Sequence, residues 1–189
     1  MRRSRPEADF GKQRRLGATA SRSARDPELI DDSEPAAHPA RPSAADCKRR
    51  ALDLLARREH SRLELERKLG ARGFDDEAIG VALDDLERSG ALAGERFAES
   101  FIRSRASKGQ GPVRVRAELA ARGVDAAQAA AALAEAGIDW GEVAHAVRRK
   151  RFGAEVPRDF KERARQARFL EYRGFGRADI ERALGSREE

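Results

Sequence analysis

The sequence predicts an all-α fold of three tandem three-helix repeats, each helix-turn-helix-like, that form an elongated, curved modular body behind a disordered N-terminal arm. Two observations predict this fold. From residue 46 onward, apolar residues recur at spacings of three and four, which is the helical period, and no stretch alternates like a strand. The pattern Leu-x-x-Arg-Gly followed by an apolar residue also occurs three times, at intervals of 50 and 51 residues, which indicates an internal repeat.

The predicted disordered arm covers residues 1–45. This stretch holds five of the seven prolines and lacks apolar periodicity, so it cannot bury enough surface to offset the entropy lost on ordering. Nine of its residues are Lys or Arg, which makes the arm basic. Two roles remain open for it: a weak, non-specific attraction to DNA, or an inert extension.

The first repeat is predicted over residues 46–90. One face of its first helix, roughly 46–59, carries apolar residues: Ala51, Leu52, Leu55 and Ala56. Its second helix begins at the sequence Ser61-Arg62-Leu63-Glu64, a capping box in which a hydroxyl and a carboxylate each satisfy a free backbone N–H group. Its third helix begins after Asp75, a residue type that caps helix N-termini.

The second repeat is predicted over residues 91–137. Its first helix, roughly 95–107, has an apolar face: Phe97, Ala98, Phe101 and Ile102. The segment Gly109-Gln110-Gly111 is interpreted as a flexible turn, because no Gly-Lys-Ser/Thr follows it as a phosphate-binding loop requires. Pro112 suits the first position of the next helix, and Asp125 suits the N-cap of the helix after that.

The third repeat is predicted over residues 138–189. Asp139 caps a helix over roughly 140–152, whose apolar positions lie at helical spacing: Trp140, Val143, Ala144, Val147 and Phe152. The last helix of each repeat carries matching apolar residues: Ile79, Ala82 and Leu83; Ala129, Ala132 and Leu133; and Ile180, Ala183 and Leu184.

Each copy of the repeated pattern is predicted to end a helix. The copies are Leu69–Phe74, Leu119–Val124 and Leu170–Phe175. The glycine adopts a left-handed conformation past the helix end, and the apolar residue after it folds back onto the leucine five positions earlier. The arginine before the glycine lies at the negative end of the helix dipole, which favours a cation by about 0.3–1 kcal/mol.

The sequence offers no set of residues for catalysis. None of His38, His60 and His145 has metal-ligand spacing, and the acidic stretch 75–87 lacks a calcium-loop pattern. The one cysteine, Cys47, excludes an internal disulfide; a lowered pKa is conceivable at the start of a helix, but it is interpreted as an incidental helix residue. We therefore expect neither an enzyme nor a cofactor nor a metal site.

The sequence also lacks the features of a membrane or secreted protein. No window approaches the roughly 18–20 apolar residues that a membrane helix needs. Residues 2–15 are basic, but no apolar run follows them as it does in a secretory signal. A cytoplasmic protein is expected.

Basic residues provide the predicted binding site. The net charge is +6, and two basic zones lie at residues 103–122 and 148–173. Eight residues of these zones are the predicted contacts: Lys108, Arg114, Arg116, Arg148, Arg149, Lys150, Arg151 and Arg168. As a set they favour binding a polyanion or an acidic protein surface, although any one of them could be ordinary solvated surface. The unbroken run 148–151 winds around its helix, so its four residues do not all face one partner.

The stretch from about 46 to 185 resembles the RecX family, bacterial regulatory proteins that act on the RecA recombinase. The resemblance is carried by the order and spacing of six segments: Ala51–Leu65, Arg96-Phe97-Ala98, Lys108–Pro112, Leu119–Val124, Lys150–Gly153 and Arg168–Phe175. The family pattern has an Asp just before Arg-Phe-Ala. Here Gly94-Glu95 occupies that region, so a different cap is expected for the fourth helix.

The resemblance implies an all-helical regulator, not an enzyme, with three tandem three-helix repeats. It implies binding in the groove of the RecA filament on single-stranded DNA, and inhibition of ATP hydrolysis, strand exchange and co-protease activity, so that recombinational repair and the SOS response are modulated. The partner is then the RecA filament, a monomer is expected, and direct contact with single- or double-stranded DNA through phosphates stays open. Two alternatives remain: a sequence-independent DNA-binding module acting without RecA, and a scaffold that binds neither.

Overall fold

The computed structural model describes residues 43–185, and within that range it contains nine α-helices and no strand. The helices are α1 Ala44–Leu55, α2 Arg62–Gly70, α3 Asp76–Arg88, α4 Gly94–Ser107, α5 Pro112–Ala120, α6 Ala126–Glu135, α7 Trp140–Phe152, α8 Phe160–Tyr172 and α9 Arg177–Leu184. In this part of the chain, no helix combines the length and apolar character needed to cross a membrane. The disordered arm predicted over residues 1–45 lies outside the described residues up to residue 42.

Three consecutive helices surround each of three hydrophobic cores, and we call α1–α3, α4–α6 and α7–α9 the first, second and third repeats. In each repeat the first helix packs against the third. The predicted apolar positions of the last helices are buried, except that Ala132 is only partly buried. Trp140 packs against both the second and the third core, so it links the two repeats.

The predicted helix ends are confirmed. Gly73, Gly123 and Gly174 have φ angles of 86°, 82° and 87°, the left-handed region that favours glycine. The N–H of the residue after each glycine donates to the carbonyl oxygen of the leucine five positions earlier: Phe74 to Leu69 at 3.4 Å, Val124 to Leu119 at 3.2 Å and Phe175 to Leu170 at 3.1 Å. This is the hydrogen bond of a Schellman-type helix end.

Most of the predicted helix starts are also confirmed. Carboxylate oxygens of Asp75, Asp125 and Asp139 accept backbone N–H groups of the first turns of α3, α6 and α7 at 2.7, 2.8 and 3.2 Å. Pro112 begins α5. The fourth helix has the different start that was expected, because Ala93 at its N-cap makes no side-chain hydrogen bond.

The first helix differs from its prediction at both ends. It runs over Ala44–Leu55 and not over 46–59. Ser43 and Asp46 form a reciprocal capping box that begins the helix earlier. At the other end, the regular helix ends at Leu55. Beyond it, the N–H of Arg57 donates to the carbonyl oxygen of Leu54, three residues earlier, at 3.2 Å.

Only half of the capping box predicted for α2 forms. The hydroxyl of Ser61 accepts the N–H of Glu64 at 3.1 Å, as expected. The carboxylate of Glu64 does not return to Ser61, because it binds His60, Arg58 and Arg122. These partners place Glu64 between the first and second repeats, so its role is in repeat packing.

Candidate functional site

A groove with a volume of about 560 Å³ lies between the second and third repeats. Its cationic rim consists of Lys108 at the end of α4, Lys150 and Arg151 on α7, and Arg173 after α8. Its floor is largely apolar and includes Val143, Ala146, Val147 and Phe169. No Asp or Glu lines the groove. We call this feature the basic groove.

The rim cations are not neutralised by carboxylates of the described chain. Arg173 donates Nη1 to the carbonyl oxygen of Lys108 at 3.3 Å, and its guanidinium lies 5.3 Å from the ring centre of Phe169. Arg151 lies 5.9 Å from the ring centre of Phe152. Neither contact removes positive charge, so the basic groove attracts anions.

The seam between the first and second repeats provides a contrast. Its smaller groove of about 250 Å³ is lined by both signs of charge. Arg122 and Arg105 bind Glu118, Arg122 also lies 3.3 Å from Glu64, and both guanidinium groups lie 4.5 Å from the ring centre of Phe101. Arg105 and Arg122 are therefore engaged with carboxylates, and the pair of Arg122 with Glu64 joins the second repeat to the first.

Backbone contacts fix the position of the two repeats that form the basic groove. The N–H of Gly111 donates to the carbonyl of Arg173 at 2.9 Å, and the N–H of Val113 donates to the carbonyl of Gly174 at 3.0 Å. A Cβ atom on Gly111 would overlap the backbone of Gly174, and one on Gly109 would lie 2.5 Å from Cγ2 of Val147. The segment Gly109–Gly111 is a turn, as predicted, but the interpretation as a flexible turn is wrong, because its glycines permit close contact between repeats.

The structure brings three of the eight predicted binding residues into the basic groove: Lys108, Lys150 and Arg151. Arg114 is exposed beside Gly174 and pairs with Glu118 at 3.2 Å. Arg116, Arg149 and Arg168 are exposed but do not line the groove. The predicted set is therefore divided between the groove and the surface around it.

Arg148 is a correction to the predicted set. Its side chain is fully buried, and it donates to the carbonyl oxygens of Glu155 at 2.7 Å and Ala154 at 3.1 Å. Burial, followed by the nearby charge of Arg149, lowers the pKa of Arg148. A guanidinium in this position holds the segment after α7 in place and cannot contact a partner. The signal was present in the sequence, since Arg148 follows the apolar residues Trp140 and Ala144 at spacings of four.

Sequence reasoning missed Arg173 as a residue of the site. It was predicted only as a cation at the end of its helix. Its counterparts Arg72 and Arg122 do fill that role, because each donates to a carbonyl oxygen of its own helix at 2.7 Å. Arg173 instead reaches across the seam to Lys108. The repeated Arg-Gly pattern identified the position but not the repeat that it contacts.

Two of the residues considered for chemistry, Cys47 and His60, are buried. Burial, followed by the carboxylate of Asp75, raises the pKa of the Cys47 thiol, which is opposite to the lowered pKa considered from its place near a helix start. His60 is buried and its Nδ1 lies 2.9 Å from Oε2 of Glu64. Both side chains belong to the packing of the first repeat.

Comparisons with known proteins agree with this architecture. Family models described as the first, second and third three-helix domains of RecX match residues 47–86, 95–133 and 141–184. The chain is 50% identical over 140 residues to the regulatory protein RecX of Pseudomonas savastanoi pv. phaseolicola, covering 74% of this chain and 90% of that protein. It is 47% identical to the regulatory protein RecX of Pseudomonas entomophila, over 75% of this chain and 91% of that protein.

A solved structure shares the fold. The crystal structure of RecX from Lactobacillus salivarius matches with a TM-score of 0.61 and 19% sequence identity, covering 75% of this chain and 94% of that one. At this identity, the match supports the helical architecture alone.

Proposed function

The chain belongs to the RecX family of regulatory proteins, and from this premise we propose that it binds the RecA–single-stranded DNA filament in its groove. Binding inhibits the ATPase, strand-exchange and co-protease activities of RecA and so modulates recombinational repair and the SOS response. The protein acts in the cytoplasm as a non-enzymatic regulator.

The observation that carries this proposal is the basic groove. Its rim presents four cations from two repeats, Lys108, Lys150, Arg151 and Arg173, and no carboxylate lines the groove. Elsewhere in the described chain, many arginines are engaged with acids, as Arg62 is with Glu66, Asp84 and Glu87. A cluster of unneutralised cations is a surface suited to an anionic partner.

Regulation follows if binding favours one filament geometry over the active one. A ligand shifts such an equilibrium only through a difference in its affinity for the two states. A body made of three repeats, each with its own core, offers separate contact surfaces along a filament of repeating protomers. We infer that the chain bridges neighbouring protomers, with the basic groove on one of them.

The direct test is the DNA-dependent ATPase rate of RecA from the same organism while this protein is titrated in. A parallel titration follows binding to the bare single strand at the same salt concentration. Inhibition at concentrations well below those that coat bare DNA is expected. Inhibition that appears only once the DNA is coated would contradict a filament target.

Charge reversal tests the site within the same assay. Lys108→Glu, Lys150→Glu and Arg151→Glu together should abolish inhibition and leave the helix content, measured by circular dichroism, unchanged. The matched control reverses three exposed cations outside the groove: Arg57→Glu, Arg67→Glu and Lys161→Glu. The control variant should inhibit like the parent protein. Equal inhibition by both variants would remove the basic groove from the mechanism.

The alternative is a DNA-binding module that acts without RecA, because unneutralised cations suit phosphates as well as carboxylates. It requires tight binding to bare DNA and a steep loss of affinity as salt is raised, since bound cations release counterions from the DNA. The bare-strand titration at two salt concentrations distinguishes the two functions.

A further inference from the structure

We propose that the basic groove binds a segment of the partner protein that combines acidic with aliphatic side chains, and not a nucleic-acid strand. The inference rests on the proposed function, and it specifies which component of the filament, protein or nucleic acid, the groove contacts. It is carried by the difference between the rim and the floor of the groove.

Four of the five apolar side chains that line the groove are aliphatic. They are Val143, Ala146 and Val147 of α7 and Ala106 of α4. Apolar side chains of a partner that are buried against this floor make binding more favourable. Sugar and phosphate groups would make no favourable apolar contacts with it. The volume of about 560 Å³ lies within the range of about 300–1,000 Å³ that is usual for pockets that enclose ligand groups.

The cationic rim favours acidic side chains in the bound segment. Lys108 on one side and Lys150 and Arg151 on the other place positive charge around the apolar floor. Carboxylates of a bound segment would meet these cations while its aliphatic side chains reach the floor. Amphipathic peptides bind grooves in this way, with apolar anchors inside and charged residues at the edge.

The aromatic side chains do not form a platform for bases. Proteins that bind single-stranded nucleic acids combine a cationic groove with aromatic side chains on which successive bases stack. The one aromatic residue of the groove, Phe169, already contacts the ring of Phe152 edge to face at 5.3 Å and the guanidinium of Arg173. Tyr172 is 79% exposed on the same helix but does not line the groove.

The experiment measures fluorescence anisotropy of labelled probes against the full 189-residue chain. The first probe is a synthetic amphipathic peptide with Leu at helical spacing and Glu elsewhere. The second has the same length and charge, with Ser in place of every Leu. The third is an oligothymidylate of matched charge. We expect the Glu/Leu peptide to bind at least tenfold more tightly than the Glu/Ser peptide.

One substitution tests the contribution of the floor to binding separately from that of the rim. Ala146→Arg fills the floor while adding positive charge, and Ala146 is an exposed helix position, so the fold should tolerate it. This substitution should weaken binding of the Glu/Leu peptide at least tenfold and leave binding of oligothymidylate unchanged or stronger. Ala134→Arg, an exposed position on α6 that lies outside the groove, is the matched control and should change neither.

Each other outcome overturns the inference. Equal affinity for the two peptides would mean that the groove recognises charge alone. Binding of oligothymidylate that is tighter than binding of the Glu/Leu peptide, and that is lost in Ala146→Arg, would assign the groove to nucleic acid. In either case the ATPase titration is unaffected as a test of the proposed function, because inhibition of RecA is measured there without assuming what the groove contacts.

Discussion

Gly111 and Gly174 belong to different repeats, yet a Cβ atom on Gly111 would overlap the carbonyl group of Gly174. Gly111 itself has a φ of −84°, which any residue adopts, so its identity is set by the neighbouring repeat and not by backbone strain. We predict that Gly111→Ala lowers the free energy of unfolding by about 1–3 kcal/mol, the usual cost of overpacking. Urea unfolding followed by circular dichroism measures this loss.

A second glycine supplies the control for this prediction. Gly80 lies inside α3 and has nothing within 4 Å of its Cβ position. Gly80→Ala should stabilise the protein by about 0.5–1 kcal/mol, because alanine is the better helix former. If both substitutions changed stability equally, the close contact between the second and third repeats would not limit Gly111.

Arg148 is predicted to stabilise the third repeat, although it lies in the basic run 148–151. Arg148→Ala removes the donors to the carbonyl oxygens of Ala154 and Glu155 and should cost about 1–3 kcal/mol. Arg149→Ala, at the exposed neighbouring position, should change stability by less than about 0.5 kcal/mol. Equal effects of the two substitutions in urea unfolding would contradict a structural role for Arg148.

The sequence was sufficient to predict the helices because their ends are encoded locally. The left-handed glycines 73, 123 and 174 and the caps Asp75, Asp125 and Asp139 act within a few residues of themselves. The exception is informative. Glu64 has the right spacing for a capping box, but its carboxylate binds His60, Arg58 and Arg122, and Arg122 lies more than fifty residues away.

The basic groove could be predicted only in part, because it depends on contacts between residues distant in sequence. Lys108 and Lys150 were identified as basic, but nothing local shows that they share one groove. The same holds for Gly111, whose close approach to Gly174 is a property of two repeats packed together. Arg148 was wrongly predicted as a binding residue for a different reason. The prediction relied on its charge and not on its helical spacing from Ala144.

Stability should fall in mildly acidic solution because of His60. The residue is 2% exposed; burial lowers its pKa, the hydrogen bond to Glu64 raises it, and the charges of Arg58 and Lys68 lower it, so the pKa lies below 6.5. The unfolded chain therefore binds a proton near pH 6.5, where the folded chain does not. The unfolding free energy should decrease as pH falls through 6.5, until the lower pKa of the folded state is reached.

The substitution His60→Gln tests the origin of this pH dependence. Glutamine can still donate to Glu64 but does not titrate. Urea unfolding at pH 7 and pH 5.5 should therefore show a smaller difference for the variant than for the parent. An unchanged difference would assign the effect to other groups.

The pair Arg122 and Glu64 is predicted to couple the first repeat to the second. The Nε of Arg122 lies 3.3 Å from Oε1 of Glu64, and both side chains are largely shielded, with exposed fractions of 26% and 18%. A double-mutant cycle with Arg122→Met and Glu64→Gln should give a coupling energy of about 0.5–1 kcal/mol in urea unfolding, which decreases as salt is added.

The matched pair for this cycle is Arg103 and Glu99, 2.9 Å apart on the exposed face of α4. Their exposed fractions are 65% and 57%, so water and salt screen the interaction, and a coupling energy of at most about 0.5 kcal/mol is expected. A larger coupling for Arg122 and Glu64 follows from their partial burial between two repeats. Additive effects of the two substitutions there would mean that this ion pair does not hold the seam and that other contacts do, among them Arg96 with Glu59 at 2.9 Å.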